Sequence, residues 1–278
     1  MKLLFTGLFI ALLVTLVAFS VEVRAGGQCI TPLWQDEFDG TQLDATRWRV
    51  EEGDGCDRAL CGWGNNEQQW YRADNIAVAD GELIITAKRH AFRQADAFKQ
   101  ADFTSGRLTS AGLFAQQYGR FEARMKLPSS MGLWPAFWMM PDNMQQKWPL
   151  EGEIDILEKG GADPRDAYKI LGAIHFGDQW PGNRHYSESL LVPVPWSDEF
   201  HTYRVDWQPD LIRWSVDDKV FGEVRPIDIA PYRWVFNDKP FHLILNLAVG
   251  GTLGGEVPEA FSEAELRVDY VRVYGVCE

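Results

Sequence analysis

The sequence predicts an all-β fold, with two antiparallel sheets packed face to face as a sandwich. Three observations carry this expectation. Short runs with apolar residues at every second position recur along the chain, as in Arg120-Phe-Glu-Ala-Arg-Met-Lys126 and Glu265-Leu-Arg-Val-Asp-Tyr-Val-Arg-Val-Tyr274. Turn residues separate these runs at short intervals, and no helical period extends beyond one turn within 226–234. No repeat or low-complexity linker divides the chain, so 26–278 is expected to be a single domain.

Taken in order, the chain opens with Lys2 and an apolar run over 3–19, then Val23-Arg-Ala25 before Gly26. That pattern is a secretory signal peptide over 1–25, with a short membrane anchor as its rival. Export and an even count of 4 cysteines favour disulfides among Cys29, Cys56, Cys61 and Cys277. A local Cys56–Cys61 loop and a Cys29–Cys277 clip between the chain ends form one of three connectivities. Zinc is disfavoured by the wide local spacing and the lack of a neighbouring His.

Trp34-Gln-Asp-Glu-Phe38 begins the domain, and Ile76-Ala-Val-Ala79 and Glu82-Leu-Ile-Ile-Thr-Ala-Lys88 flank a hairpin turn at Asp80-Gly81. Residues 90–104 are polar and patternless, which predicts a surface loop. Strands follow within 108–127 and over 169–176. A meander is expected over 203–224, turning at Gln208-Pro-Asp210 and Asp217-Asp218. The nearly unbroken apolar run 241–249 predicts a central strand, interrupted by Asn246, whose buried amide needs partners.

The stretch that carries chemistry is Glu151-Gly-Glu-Ile-Asp-Ile-Leu-Glu158. On a strand, Glu153 and Asp155 share one face and Ile154 and Ile156 take the other. Strict alternation would turn Glu158 away. One extra residue, a β-bulge at Ile156-Leu157, returns it to the acidic face. Residues four apart on a strand are separated by about 13 Å, and side chains leaning together bring two carboxylates to about 5 Å, the gap of a retaining glycosidase. Alternating acids usually mark a solvated face. Here three acids repel one another on one strand whose other face is apolar, just after the aromatic run Gly132-Leu-Trp-Pro-Ala-Phe-Trp138. The chain holds 12 tryptophans, and Trp134 and Trp138, four apart, share a face; sugar faces are bound by such rings. Trp48, Trp207 and Trp214 are expected in the core.

Glu-Ile-Asp-Ile-Leu-Glu resembles the bulged signature of glycoside hydrolase family 16, in its laminarinase-like branch of endo-β-1,3-glucanases. Trp63-Gly-Asn-Asn-Glu-Gln-Gln-Trp-Tyr71, Ala173-Ile-His-Phe-Gly177, Phe200-His-Thr-Tyr-Arg-Val-Asp-Trp207 and Leu245-Asn-Leu-Ala-Val-Gly-Gly251 resemble the same branch in order and spacing. The resemblance implies a concanavalin-like β-jelly roll. It implies Glu153 as nucleophile, Glu158 as general acid/base, Asp155 between them, and retention without a cofactor. It further implies cleft positions for Asn66, Arg89, His175 and Asn246, and a structural calcium near Glu37, Gly81 and Asp269. Gly250-Gly-Thr-Leu-Gly-Gly255 lacks the lysine of a phosphate loop and is expected at the rim of the cleft.

A net charge of −13 makes nucleic acid and anionic membranes poor partners and leaves neutral polysaccharides indifferent. The expectation is therefore an exported, monomeric β-1,3-glucanase, extracellular or periplasmic. Its rivals are a non-catalytic β-glucan-binding protein and a family 16 hydrolase of agarose or carrageenan.

Overall fold

The computed structural model describes residues 31–93 and 100–276. The expected signal peptide and the Cys29–Cys277 pairing lie outside the described residues. In chain order the strands are β1 (Trp34–Asp36), β2 (Arg49–Val50), β3 (Gln69–Tyr71), β4 (Ile76–Ala79), β5 (Glu82–Arg93), β6 (Gln100–Ser105), β7 (Arg107–Thr109) and β8 (Gly119–Lys126). They continue with β9 (Leu133–Pro141), β10 (Glu153–Glu158), β11 (Lys169–Gly177), β12 (Asn183–Leu191), β13 (His201–Gln208), β14 (Leu211–Val216), β15 (Lys219–Val224) and β16 (Phe241–Val249). A one-turn helix α1 (Gly251–Gly254) precedes β17 (Glu263–Tyr274).

The first sheet runs β15-β14-β13-β8-β17-β5-β6-β3, with β1 on β17 and β4 on β5; the second runs β12-β11-β10-β9-β16-β7-β2. The pairing is antiparallel except at β3 and β6, which run parallel. Two apolar faces meet between the sheets. Phe121, Val205, Val271 and Val273 come from the first sheet and Phe137, Met139, Ile154 and Leu245 from the second, all fully buried. Burying each such side chain contributes about 1.5–3 kcal/mol. The result is the two-sheet jelly-roll sandwich that the alternating pattern and the family resemblance imply.

Trp48, Trp207 and Trp214 are buried as expected. Asp80 and Gly81 take positive φ at 56° and 77°, as a two-residue hairpin turn requires. The single turn near 226 is a 3-10 turn over Pro226–Ile229. Residues 90–104 are a correction: 90–93 and 100–104 belong to β5 and β6, whose ladder pairs Arg93 with Gln100. Of these, 90, 91, 93, 100 and 102 are exposed, so no apolar alternation is needed there, and 94–99 lie outside the described residues. The Gly250–Gly255 segment turns as α1 and is bonded to the loop before β3, with Thr252 N reaching the Asn65 carbonyl at 2.9 Å.

Candidate active site

β10 lies in the interior of the second sheet, between β9 and β11. Its register changes within the acidic stretch. Glu153 pairs with His175 and Asp155 with Ala173, but Glu158 pairs with Leu171, so Ile156 and Leu157 stand opposite Gly172 alone. On the other side Asp155 pairs with Trp138 and Leu157 with Phe137, leaving Ile156 as the extra residue. This is the bulge expected from the sequence. Ile154, Ile156 and Leu157 all enter the core, and the three acids share the opposite face.

On that face Glu153 receives the Trp148 indole N–H at 2.6 Å on Oε2. His175 Nε2 stands 3.2 Å from Asp155 Oδ2 and 3.8 Å from Glu153 Oε1. Glu158 Oε1 accepts the Trp134 N–H at 2.9 Å. The Trp138 N–H is donated to Asn246 Oδ1 at 2.8 Å, and Asn246 Nδ2 donates to the Tyr71 hydroxyl at 3.1 Å. Tyr71 passes its own proton to Glu67 Oε2 at 2.9 Å, which also accepts from Gln69 at 2.7 Å. The polar interruption of β16 is thus fully partnered. The Arg107 guanidinium lies 4.9 Å above the Trp138 ring and 4.3 Å above Trp63, held by Glu51 at 2.5 Å.

Burial raises the pKa of Glu153, while His175, Trp148 and a hydrogen bond with Asp155 oppose the rise. Burial and then the Glu153 charge raise Asp155, so its proton is shared toward Glu153. Burial and the Asp155 charge raise Glu158, the more strongly held proton. For His175, burial favours the neutral ring, but Glu153, Asp155 and Glu158 outweigh it and raise its pKa. Burial thus raises all three carboxyls, and the His175 charge opposes the rise at Glu153 more than any other group, which favours Glu153 as the carboxylate and Glu158 as the proton donor. Two carboxyls in such different surroundings suit acid–base and nucleophilic roles. Ligand atoms of Glu153, Asp155 and His175 fall within 4.8 Å of one another, so a cation there would compete with the imidazole for the same oxygens.

Of the residues expected from the sequence, Glu153, Asp155, Glu158, Trp134, Trp138, His175 and Asn246 converge on this face. Trp134 is 9% exposed and serves Glu158 through its N–H more than it offers a platform. Asn66 is exposed at positive φ, 58°, beside Glu67, whose backbone bridges to Gly250. Arg89 does not join the cluster. It sits on β5 of the other sheet, bonded to the Phe261 and Pro258 carbonyls at 2.9 and 2.8 Å. An arginine in an alternating strand carries no sequence sign of which sheet it will join. Glu37, Gly81 and Asp269 lie on the first sheet, away from the acids. The two carboxylates are already engaged, Glu37 by Arg272 at 2.7 Å and Asp269 by Arg124 at 2.6 Å. A divalent cation at these oxygens would have to displace both arginines. Trp148 and Arg107 escaped sequence reasoning, and Tyr71 and Glu67 stood in the Trp63–Tyr71 motif without an assigned role. For Trp148 the signal was an indole in a loop five residues before an acid.

A family model described as glycosyl hydrolases family 16 matches residues 64–272. The chain is 42% identical over 264 residues to a beta-glucanase of Rhodothermus marinus, covering 87% of this chain and 84% of that protein. It is 39% identical over 263 residues to glucan endo-1,3-beta-glucosidase A1 of Niallia circulans, spanning 87% of this chain but only 37% of that longer protein. Its fold is similar to the laminarinase catalytic domain of Thermotoga maritima, with a TM-score of 0.81, 34% identity, and coverage of 89% and 99%.

Proposed function

The chain belongs to glycosyl hydrolase family 16 and is a glycoside hydrolase; from that premise we propose that it is a retaining endo-β-1,3-glucanase acting on laminarin-type glucans. The observation that carries the mechanism is the bulge, because it turns Glu158 to the face of Glu153, with Trp134 on one carboxyl and Trp148 and His175 on the other. Glu153 attacks the anomeric carbon while Glu158 gives its proton to the glycosidic oxygen. The C–O bond to the leaving chain breaks and a Glu153–C1 ester forms. Glu158, now ionised, takes a proton from water; the oxygen attacks C1 and Glu153 leaves as carboxylate. Asp155 shares a proton with Glu153 and His175 stabilises its charge.

The linkage is supported by the relatives, which include a glucan endo-1,3-beta-glucosidase and a laminarinase catalytic domain. Export is supported by the Cys56–Cys61 disulfide, a bond of oxidising compartments. The test is hydrolysis of laminarin followed by proton NMR. New reducing ends that first carry the β-anomer, and their loss in Glu153→Gln, are expected. Intact laminarin beside a folded protein, or a first-formed α-anomer, would overturn the reading.

A further inference from the structure

Trp214 belongs to β14, in the sheet opposite the acids. Its indole nonetheless crosses the sandwich and donates N–H to the Asp155 backbone carbonyl at 2.8 Å. That carbonyl sits where the β10 ladder changes register. At a bulge the peptide is rotated out of the ladder and loses its strand partner. A carbonyl turned into an apolar interior must find another donor. Trp214 supplies it, and the ring is fully buried.

The surroundings are shaped to this bond. Gly172 is the lone residue facing Ile156 and Leu157, and a Cβ on it would lie 2.3 Å from Trp214 Cδ1. Gly222 pairs with Trp214 across β14 and β15, where the register also shifts. A Cβ on Gly222 would meet Glu188 Cβ at 2.4 Å and would make only ordinary contact with the indole, at 3.5 Å from Cε3, so Gly172 is the glycine that the ring requires. Two irregular strands, one from each sheet, thus meet at one indole.

We propose that Trp214 is a positioning residue of the active site: its N–H fixes the rotated Asp155 peptide, and through the bulge it sets where Asp155 and Glu158 point. The residue touches no substrate and acts through the backbone alone. The proposal rests on the hydrolase reading above for its kinetic readout and on Asp155 and Glu158 titration for an independent one.

Trp214→Phe keeps an aromatic ring and deletes the donor. Replacing Trp214 by 3-benzothienylalanine deletes the N–H while keeping the bicyclic shape, so it reads the bond even where Phe disturbs packing. Trp48→Phe is the control. Trp48 is equally buried and donates to Asp36 Oδ2 at 2.9 Å, remote from the bulge. A small misplacement of catalytic groups costs on the order of 10²-fold in rate. The expected result is a kcat on laminarin lowered about 10²-fold in both Trp214 variants, with KM nearly unchanged and a displaced basic limb of the pH profile. Trp48→Phe should lower the melting temperature and leave kcat and the profile alone. Carbon-13 NMR of labelled side-chain carboxyls should show Asp155 and Glu158 titrating differently in the benzothienyl variant. A benzothienyl variant with unaltered kcat, pH profile and carboxyl titration would overturn the proposal. A wild type inert on laminarin would overturn the hydrolase reading instead, leaving the carboxyl titration to decide the role of Trp214.

Discussion

Trp148 donates its indole N–H to Glu153 at 2.6 Å from a loop outside the sheet. The loop is held from behind. Glu151 accepts Gln145 N at 3.0 Å and Lys239 Nζ at 2.8 Å, which fixes both ends of the segment that carries the indole. The ring also lies against His175, with centroids 5.5 Å apart. Loop and imidazole thereby close around one carboxylate.

A hydrogen bond to a charged group contributes about 1.5–3 kcal/mol. Trp148→Phe is expected to lower kcat/KM on laminarin by about 10- to 100-fold, the rate equivalent of that bond. The bond holds the Glu153 pKa down. Its loss should therefore move the acid limb of kcat/KM to higher pH. An unchanged acid limb would mean that the indole does not act on Glu153.

The raised pKa of Glu158 gives a stability prediction of definite sign. Burial and Asp155 place the folded-state value above the unfolded one. The folded protein thus favours the protonated form, and stability is lost as pH rises from the ordinary carboxylate value through the raised one. Glu158→Gln removes the buried charge. It should abolish activity while raising stability by about 1 kcal/mol above the raised pKa, a typical trade-off at a strained site. Melting curves across pH should converge for the two proteins at pH 4 and separate as pH rises. Parallel curves would contradict the assignment.

What was legible in the sequence follows from where alternation operates. The Glu153, Asp155 and Glu158 face could be read because an apolar partner face fixes the register and a one-residue surplus at Ile156-Leu157 is visible. The Trp138–Asn246 contact was half legible, since a polar residue in an apolar central strand demands partners without naming them. Trp148 and Lys239 reach the site from loops, whose paths no periodicity records. Arg89 shows the converse limit: a strand residue has a legible face, but its sheet is decided by pairings far along the chain. The strand ends at 90–93 and 100–102 were hidden because most of their side chains are exposed and carry no apolar alternation.

The chain of bonds from Trp138 through Asn246 and Tyr71 to Glu67 makes a coupled prediction. Tyr71 and Asn246 are buried. Tyr71→Phe leaves the Asn246 amide without its acceptor and should cost about 1–3 kcal/mol. Asn246→Leu should cost a similar amount and free Trp138, seen as a rise in KM with little change in kcat. Because the two act in one network, the double variant should be less damaging than the sum by about 0.5–3 kcal/mol. Urea unfolding of the four proteins measures that coupling, and additive losses would dissolve the network as a unit.

The loop bearing Trp63 and Glu67 is held in a backbone shape that side chains resist. Ala59, Trp63 and Asn66 all take positive φ, at 56°, 50° and 58°. Each such residue costs on the order of 1 kcal/mol. The Cys56–Cys61 bond spans a separation of 5 residues within this segment and restricts its unfolded alternatives. Loop-closure entropy for so short a ring corresponds to about 2 kcal/mol. Cys56→Ser with Cys61→Ser should lose about that much in urea unfolding. The functional effect should fall on binding, because Trp63 supports Arg107 over Trp138 and Glu67 anchors the Tyr71 hydroxyl. KM on laminarin should rise several-fold while kcat stays within a factor of about two, since the bulge and its acids lie on a separate strand held by its own ladders. Initial rates over a range of laminarin concentrations separate the two parameters. A fall confined to kcat would place the disulfide's influence on the acids themselves and refute the division between a rim that binds and a strand that reacts.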